Sequence, residues 1–310
     1  MQEFKHYTVM KHEAVDALNC QNGLVYVDCT LGGGGHSGLI LERISPDGKL
    51  IAFDIDQDAI DAASEKLKGY NNLTIVKSSY TNIKQVLKDL NIEKITGGIL
   101  FDLGASYHQL TKQERGFSFS KEAPLDMRFN TDSDFSAYDV VNKYSEDELV
   151  RIFSEYGEER FSKRIAKAIV TKRKQSPIKT TTELSQIVTD SVPKIKSSIH
   201  PATRVFQAIR IEVNQELQNV KTTLNNVLDI LDIGAIISVI SFHSLEDRIV
   251  KQFMKYHSTR CHCSKTDMIC HCPPPKLELI NKKPIMASEQ EIKENPPSRS
   301  AKLRVARCIR

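Results

Sequence analysis

Residues 27–38 combine the residue types of a ligand-binding loop. They read VDCTLGGGGHSG, with a short apolar run before them and a helix-like segment behind them. The glycines at 32–35 let a ligand approach bare backbone at a helix N-terminus, where unpaired N–H groups point outwards. Gly33, Gly35 and Gly38 also satisfy the G-x-G-x-x-G spacing of dinucleotide-binding loops. The segment therefore predicts a nucleotide-like ligand.

Three aspartates lie near the ends of apolar runs, and pairing of these runs in a parallel sheet would bring the aspartates together. Asp28, Asp54 and Asp102 each stand near the end of a predicted strand, and ligands of open α/β sheets bind outside those ends. Asp54 stands where a carboxylate commonly binds ribose hydroxyls, as in nicotinamide dinucleotide enzymes. Asp28 would repel a pyrophosphate but attract the ammonium and sulfonium groups of S-adenosylmethionine. These residues favour S-adenosylmethionine, and a nicotinamide dinucleotide stays open as an alternative.

The elements that must position these residues alternate between strand-like and helix-like segments. Helix-like stretches separate four apolar runs, which lie at residues 24–30, 50–56, 73–79 and 98–103. This βαβαβαβ pattern is typical of a doubly wound parallel sheet with right-handed crossovers. We therefore predict an α/β fold with a Rossmann-like sheet.

The alternation stops after residue 103, where the chain becomes polar and then helical. We predict three helices, at 146–156, 158–173 and 182–191, followed by an amphipathic helix at 204–231 and a further strand at 235–242. A helical insertion after the fourth strand explains this order most simply.

This organisation predicts two domains with different charge. The sheet domain is expected to comprise residues 1–110 and 200–310, and the helical domain residues 111–199. Residues 143–210 carry 14 basic and 8 acidic side chains, and residues 251–310 carry 13 and 5. Concentrated Lys and Arg usually neutralise phosphates, so the charge suggests a polyanionic partner, although an ordinary solvated surface is the simpler explanation of the charge asymmetry taken alone.

Composition excludes several classes of protein. The chain of 310 residues is 40% hydrophobic and 26% charged, which excludes a disordered or collagen-like chain. No apolar run approaches the roughly 18 to 20 residues of a membrane span, and the N-terminus lacks the apolar core of a signal peptide. We therefore expect a soluble, cytoplasmic protein without a membrane partner.

Four of the seven cysteines form a compact pattern near the C-terminus. Cys261, Cys263, Cys270 and Cys272 read C-x-C, six residues, C-x-C. Four thiolates in one short segment can close a tetrahedral zinc site, although these gaps are tighter than the usual C-x2-C. The alternatives are free reduced thiols, or a site in which His262 or His271 replaces one thiolate.

With these residues in place, the chain resembles the ribosomal RNA small subunit methyltransferase H family, whose members use S-adenosylmethionine to methylate the N4 atom of a cytidine in 16S rRNA. The resemblance covers nearly the whole chain. It rests on the following motifs: HYTVM at 6–10, TLGGGGHS at 30–37, DLG at 102–104 with QL at 109–110, ERGFSF at 114–119, LDMR at 125–128, YGEE at 156–159, HPATR at 200–204 and SFHSLEDR at 241–248.

The resemblance implies a class I methyltransferase fold, S-adenosylmethionine as cofactor and 16S rRNA of the small ribosomal subunit as partner. It also implies that the helical insertion helps to hold RNA. The cofactor-site residues that it implies are Gly34, Gly35, His36, Asp54, Tyr80, Asp102 and Gln109. The chain departs from the family's usual DLGVSSPQL at Ala105, Tyr107 and His108, which leaves the role of Tyr107 at the target base open.

The chemistry of an exocyclic amine points to Asp102 as a catalytic residue. The amine of cytosine is conjugated with its ring, and an acceptor for its N–H groups would favour the geometry in which the lone pair can attack. Asp102 is the first candidate for that acceptor, and a role in cofactor binding alone is the alternative. A C5-cytosine enzyme would need a cysteine nucleophile, and none lies in this motif.

Basic residues of the insertion are candidates for RNA contacts. Arg160, Lys163, Arg164 and Lys167 share one face of the helix predicted at 158–173, and the run KRK at 172–174 extends it. Arg115 and Arg128, with neighbouring Phe117 and Phe119, are further candidates. His243 and Asp247 follow a later strand, and they contact either RNA or other protein groups.

The rival functions are a nicotinamide-dependent oxidoreductase and a non-enzymatic RNA-binding module held together by zinc.

Overall fold

The computed structural model describes residues 8–106, 109–110, 112–193, 199–263 and 269–310. Two compact units are formed: a sheet unit made of the chain up to Gly104 together with Leu217–Arg310, and a helical unit made of Ala105–Glu216. The α-helices, numbered along the chain, are α1 (Lys11–Ala17), α2 (Gly35–Ile44), α3 (Gln57–Lys66), α4 (Ile83–Asp89), α5 (Ala137–Lys143), α6 (Glu146–Glu155), α7 (Ser162–Arg173), α8 (Thr181–Ser191), α9 (Ala202–Asn214), α10 (Glu216–Val227), α11 (Ser244–Ser258) and α12 (Glu289–Glu294).

The sheet unit is built on one sheet in the order β3-β2-β1-β4-β5-β8-β6, with β7 paired to β8. Its strands are β1 (Val25–Asp28), β2 (Lys49–Asp54), β3 (Leu73–Lys77), β4 (Gly98–Asp102), β5 (Ile236–Ser241), β6 (Leu277–Leu279), β7 (Ile285–Met286) and β8 (Lys302–Cys308). The first five strands are parallel, and β8 runs antiparallel to β5. The strand order reverses between β1 and β4, which is where ligands of such sheets bind. The predicted Rossmann-like α/β fold is confirmed.

The central strands β1, β2, β4 and β5 are largely buried on both faces because they are almost continuously apolar. Successive side chains point to opposite faces, so Tyr26 packs in the core formed with α1, α2 and α3. Val27 packs on the other face, in the core formed with α4, α10 and α11. Every side chain of β5 is buried. Among the described residues, no helix is both long and apolar enough to span a membrane.

The helical unit has a core of its own. Ser145 and Glu148 start α6 with a capping box, in which Glu148 N–H donates to the Ser145 hydroxyl and Ser145 N–H donates to the Glu148 carboxylate. The apolar side chains that fill this core come from α5, α6, α7, α8 and α9 and include Val140, Ile152, Ile165, Leu184 and Phe206.

Two sequence-based boundaries in this region are wrong. The helix predicted at 158–173 begins at Ser162, because Glu158 adopts a left-handed backbone with φ of 47° and so interrupts the helix. The helix predicted at 204–231 is two helices, separated at Gln215, whose φ is 51°. The compact helical unit comprises Ala105–Glu216, and α9 buries its apolar face in the core of that unit; the predicted domain limits 111–199 stay a prediction.

Candidate functional site

The three strand-end aspartates lie at one edge of the sheet, as their sequence positions predicted. Asp28 ends β1, Asp54 ends β2 and Asp102 ends β4. Parallel pairing of β1 with both β2 and β4 brings the three carboxyl ends side by side. Asp28 and Asp102 therefore flank the position where the strand order reverses, which is the ligand-binding position of a doubly wound sheet.

Asp28 is fully buried and is held by hydroxyl and amide donors. Its Oδ2 accepts a hydrogen bond from the Ser37 hydroxyl at 2.7 Å, and its Oδ1 accepts one from Thr30 N–H at 3.0 Å. Burial raises the pKa of Asp28 to about 6, against the opposing effect of these hydrogen bonds. Near neutral pH the sheet unit thus holds a buried negative charge at this position.

Asp28→Asn should stabilise the ligand-free protein at neutral pH. A carboxyl group with a pKa near 6 in the folded state and 3.8 as its ordinary value destabilises the fold once pH exceeds both values. The advantage of the variant in free energy of unfolding should grow by about 2 kcal/mol between pH 4.5 and pH 7.5. Asn also suits the position, because its amide can accept from Thr30 N–H and donate to Ser37. Denaturant unfolding at both pH values measures this; an advantage that does not change with pH would refute it.

The glycine loop follows β1 and starts α2. Gly34 takes the N-cap position with φ of 69°, a left-handed conformation that glycine adopts without strain. Gly35 is the first residue of α2, and a Cβ added there would lie 1.8 Å from the Thr8 hydroxyl oxygen. A side chain at position 35 would therefore clash with Thr8, and both Gly34 and Gly35 are buried at the start of α2.

Asp54 ties this loop to the end of β2. Its Oδ2 accepts a hydrogen bond from Gly32 N–H at 2.8 Å, and its Oδ1 accepts from Ile55 N–H at 2.8 Å and Asp56 N–H at 2.9 Å. Burial raises the pKa of Asp54, while these three donors act against the rise. Asp54 thus shapes the loop and still presents carboxylate oxygen at the edge of the sheet.

Asp102 and His36 lie together next to the loop. The side chain of His36 is buried; its Nδ1 lies 3.7 Å from Asp102 Oδ2, and its Nε2 lies within hydrogen-bond distance of the Val9 carbonyl oxygen. Within the described part of the chain, Asp102 Oδ1 is inaccessible to solvent and makes no hydrogen bond. Burial first, then the negative charges of Asp28 and other nearby carboxylates, raises the pKa of Asp102 well above its usual range.

Tyr80 and Gln109 complete the predicted set. Tyr80 follows β3 and packs edge-on against Phe101 with ring centroids 5.9 Å apart. Gln109 belongs to the helical unit, where its side-chain oxygen accepts a hydrogen bond from Ser106 N–H at 2.9 Å. Its place in a cofactor site stays a prediction. Tyr107 and His108 lie outside the described residues.

Thr30 is a site residue to which sequence reasoning assigned no role. Its hydroxyl oxygen accepts a hydrogen bond from Asp102 N–H at 2.7 Å and lies 3.4 Å from Asp28 Oδ1. Thr30 therefore connects the ends of β1 and β4. Its position inside the glycine-loop motif was the available signal, but the contact with β4 depends on the strand order.

The SFHSLEDR motif supplies structural polar groups. Glu246 is buried in the first turn of α11, accepts a hydrogen bond from Phe242 N–H at 2.8 Å, and contributes to the raised pKa of Asp102. Asp247 forms an ion pair with Arg304 of β8 at 2.7 Å, and Arg304 holds the pKa of Asp247 below its usual value. The protein-contact interpretation of Asp247 is therefore the one that the structure supports.

Some of the basic residues predicted to contact RNA have structural partners instead. Arg115 is buried and donates hydrogen bonds to the Arg128 and Phe129 carbonyl oxygens at 2.8 and 3.1 Å. Arg128 forms an ion pair with Asp126 at 2.6 Å. Arg173 donates to the Val141 carbonyl oxygen at 2.6 Å, so it joins α7 to α5. These guanidinium groups are used in holding the helical unit together.

Other basic side chains of the helical unit are exposed. Lys163, Arg164 and Lys167 project from α7, whereas Arg160 precedes the helix. Among the described residues, Arg164, Lys167 and Lys172 make no ion pair. These three line an open groove of about 460 Å³ together with Ala168, Thr171, Gln175 and Ser191. The groove therefore presents three unpaired positive charges to solvent.

The four clustered cysteines converge in space. All four Sγ atoms lie within 4.8 Å of one another. Cys263 and Cys272 are 3.5 Å apart at sulfur, and Cys261 and Cys270 are 3.6 Å apart. None of these cysteines forms a disulfide. The arrangement has the donor set of a tetrahedral thiolate site.

Comparison with known proteins identifies relatives along nearly the whole chain. The model of the MraW methylase family matches residues 3–309. The Ribosomal RNA small subunit methyltransferase H of Caldicellulosiruptor bescii is 54% identical over 307 residues, which cover 99% of this chain and 100% of the relative. The protein of the same name from Clostridium botulinum strain Loch Maree is 50% identical, with the same coverage of both chains. The solved structure of an rRNA methylase from Streptococcus thermophilus is 10% identical, with 96% of each chain covered and a TM-score of 0.44.

The family match spans the sheet unit and the helical unit alike, so neither is an addition peculiar to this chain. It also includes the glycine loop and the three strand-end aspartates. These relatives favour methyl transfer over both the nicotinamide-dependent and the non-enzymatic alternatives. The chain belongs to the MraW methylase family.

Proposed function

We propose that this protein transfers the methyl group of S-adenosylmethionine to the N4 atom of a cytidine in 16S rRNA of the small ribosomal subunit. Two relatives that share half or more of its residues are named as small-subunit ribosomal RNA methyltransferases. The structural observation that carries the proposal is a pair of carboxyl groups where the strand order reverses: Asp28 is buried, and Asp102 is partly buried with an inaccessible Oδ1.

These carboxylates fit a cationic cofactor. Asp28 is hydrogen-bonded to hydroxyl and amide groups, and Asp102 Oδ1 has no hydrogen-bond partner in the described part of the chain. The charge of Asp28 disfavours ionisation of Asp102 in the ligand-free state, and a positive ligand offsets that penalty. S-adenosylmethionine carries both an ammonium and a sulfonium. The residues of the sheet unit that would hold it are Gly34, Gly35, His36, Asp54, Tyr80 and Asp102, and Gln109 remains a candidate through the family resemblance alone.

The bound cofactor would supply an electrophilic methyl group, and the protein's own residues would position and polarise the acceptor. The glycine loop and Asp54 hold the cofactor in a fixed orientation, and this orientation lowers the barrier to methyl transfer. Asp102 accepts an N–H hydrogen bond from the cytosine amine and thereby favours the pyramidal nitrogen whose lone pair attacks. A cation next to Asp102 lowers the pKa of its carboxyl group, so ligand binding favours the ionised form that can accept.

The groove on α7 is the proposed RNA contact of the helical unit. Arg164, Lys167 and Lys172 present three unpaired positive charges around a space of about 460 Å³. Such charges bind phosphates by releasing counterions, without reading sequence. We assign backbone contacts to this groove and leave base recognition to other parts of the protein.

Charge reversal in this groove should weaken RNA binding. For the double variant Arg164→Glu/Lys167→Glu we expect about 10- to 100-fold weaker binding of small-subunit RNA. The slope of log affinity against log salt concentration should also fall by the amount that corresponds to about two lost phosphate contacts. Filter binding between 50 and 200 mM salt measures both quantities. The matched control is Lys88→Glu/Lys221→Glu, which reverses two exposed lysines of the sheet unit. Equal losses in the two double variants would show that overall charge, and not this groove, is responsible.

Labelled methyl transfer into 30S subunits that lack the modification tests the proposed function. Nucleoside mass spectrometry should then detect N4-methylcytidine. Label in another nucleoside would refute the proposed target atom. No label in particles that an active relative methylates would refute the proposed activity.

A further inference from the structure

We propose that Cys261, Cys263, Cys270 and Cys272 bind one zinc ion, and that this ion fastens the segment after α11 onto the end of that helix. The site lies in the sheet unit and takes no part in methyl transfer. It is therefore independent of the function proposed above.

The sulfur positions fit a single tetrahedral ion. With a Zn–S distance of about 2.3 Å, the ligand sulfurs of a regular tetrahedron are about 3.8 Å apart. The distances of 3.5 Å for Cys263–Cys272 and 3.6 Å for Cys261–Cys270 are close to this value, and all four sulfurs lie within 4.8 Å of one another. A disulfide needs about 2.05 Å between its sulfurs, so these thiols are arranged as ligands and not as oxidised pairs.

The donor set favours zinc. Four thiolates in a tetrahedron select zinc or iron-sulfur centres over hard cations such as Mg²⁺ and Ca²⁺. A cluster of several irons would stand between the thiolates and spread them farther apart than 4.8 Å. Four protein ligands also leave no open coordination position, which is the arrangement of a structural zinc site.

The surroundings of the thiols support bound metal. His262 N–H donates a hydrogen bond to Cys272 Sγ at 3.0 Å, and such an outer contact stabilises the negative charge of a coordinating thiolate. A zinc ion with four thiolates has a net charge of −2, and the segment is flanked along the chain by the positive Arg260 and Lys276.

His262 links the site to α11. It stands between two of the ligands, and its ring stacks on Tyr256 with centroids 4.2 Å apart. Lys276 N–H donates to the His257 carbonyl oxygen at 2.9 Å at the start of β6, so the segment leaves and returns beside the last turns of α11. Coordination would close this loop and hold the Tyr256–His262 contact in place. The four thiols are the ligands, because among the described residues their sulfurs, and no histidine nitrogen with them, lie within 4.8 Å of one another.

Metal analysis of the full-length protein tests the site. Protein purified under reducing conditions without added zinc should contain about one zinc per chain. Cobalt substitution should give the visible bands of a tetrahedral Co²⁺ ion and strong thiolate charge-transfer absorption. Less than about 0.2 zinc per chain, in protein whose four thiols are shown to be reduced, would overturn the proposal, and iron in place of zinc would overturn the assignment of the metal.

Variants separate ligands from neighbours. Cys263→Ser should reduce zinc content at least fivefold, whereas Cys20→Ser, which changes a half-buried cysteine outside the cluster, should retain it. His262→Ala should also retain zinc, and loss of the metal from this variant would overturn the four-thiolate ligand set. Full zinc in Cys263→Ser, in protein with a normal circular dichroism spectrum, would overturn the site itself.

Discussion

Asp102→Asn should lower the rate of methyl transfer by about 10²- to 10³-fold, the usual effect of removing one preorganised hydrogen-bonding group that stabilises the transition state. The substitution preserves the shape of a side chain that lies at the end of β4 with an inaccessible Oδ1. It removes the negative charge and places an N–H donor where the cytosine amine needs an acceptor. Two donors then face one another, and the lone pair of the amine is not freed for attack.

The kinetics of this variant distinguish two roles of Asp102. A catalytic role predicts that the rate stays low when S-adenosylmethionine and 30S subunits are both saturating. A role in cofactor binding alone predicts a raised KM for S-adenosylmethionine and a rate that recovers at saturation. Single-turnover measurements give both quantities. Asp89→Asn, which changes an exposed carboxylate of α4, is the matched control. A saturated rate within twofold of wild type would refute the catalytic role.

The strands and the edge of the sheet that carries the site could be predicted because their signals are local. A buried parallel strand reads as a short apolar run, and each of β1, β2 and β4 ends on the aspartate that follows that run. Once a parallel sheet is inferred, its carboxyl ends share one edge. The predicted placement of Asp28, Asp54 and Asp102 required no knowledge of any distant contact.

The helical unit was harder to predict because the two residues at which predicted helices are interrupted are neither glycine nor proline. Glu158 and Gln215 adopt left-handed backbones, which polar residues of this kind seldom do. The chain is closely packed beside Glu158: Gly157 approaches the Arg204 carbonyl oxygen so closely that an added Cβ would lie 2.7 Å from it. Apolar periodicity alone therefore extended both predicted helices past these breaks.

The polar network around Asp102 was also hidden from the sequence. Thr30 contacts the Asp102 backbone although 72 positions separate them, and Glu246 affects the pKa of Asp102 from α11. Both relations depend on β4 lying between β1 and β5. Predicting the strand order is the step that would have placed these groups together.

Asp54→Ala should weaken S-adenosylmethionine binding by about 10- to 150-fold, which corresponds to losing one hydrogen bond to a charged group. A carboxylate offers about four acceptor positions. Among the described residues three are occupied, by Gly32, Ile55 and Asp56 N–H groups, with two on Oδ1 and one on Oδ2. One acceptor position on Oδ2 is left for a ribose hydroxyl.

Calorimetric titration with S-adenosylmethionine measures the effect, and Asp61→Ala, an exposed position on α3, is the control. Asp54→Asn should weaken binding as strongly as Ala, because an amide that accepts from Ile55 and Asp56 must point its NH₂ group at Gly32 N–H. Affinities of both Asp54 variants within threefold of wild type would exclude Asp54 from the cofactor site. If Asp54→Asn binds S-adenosylmethionine normally and Asp54→Ala does not, Asp54 acts through a hydrogen bond that needs no charge. The glycine loop can then rearrange to accept the amide.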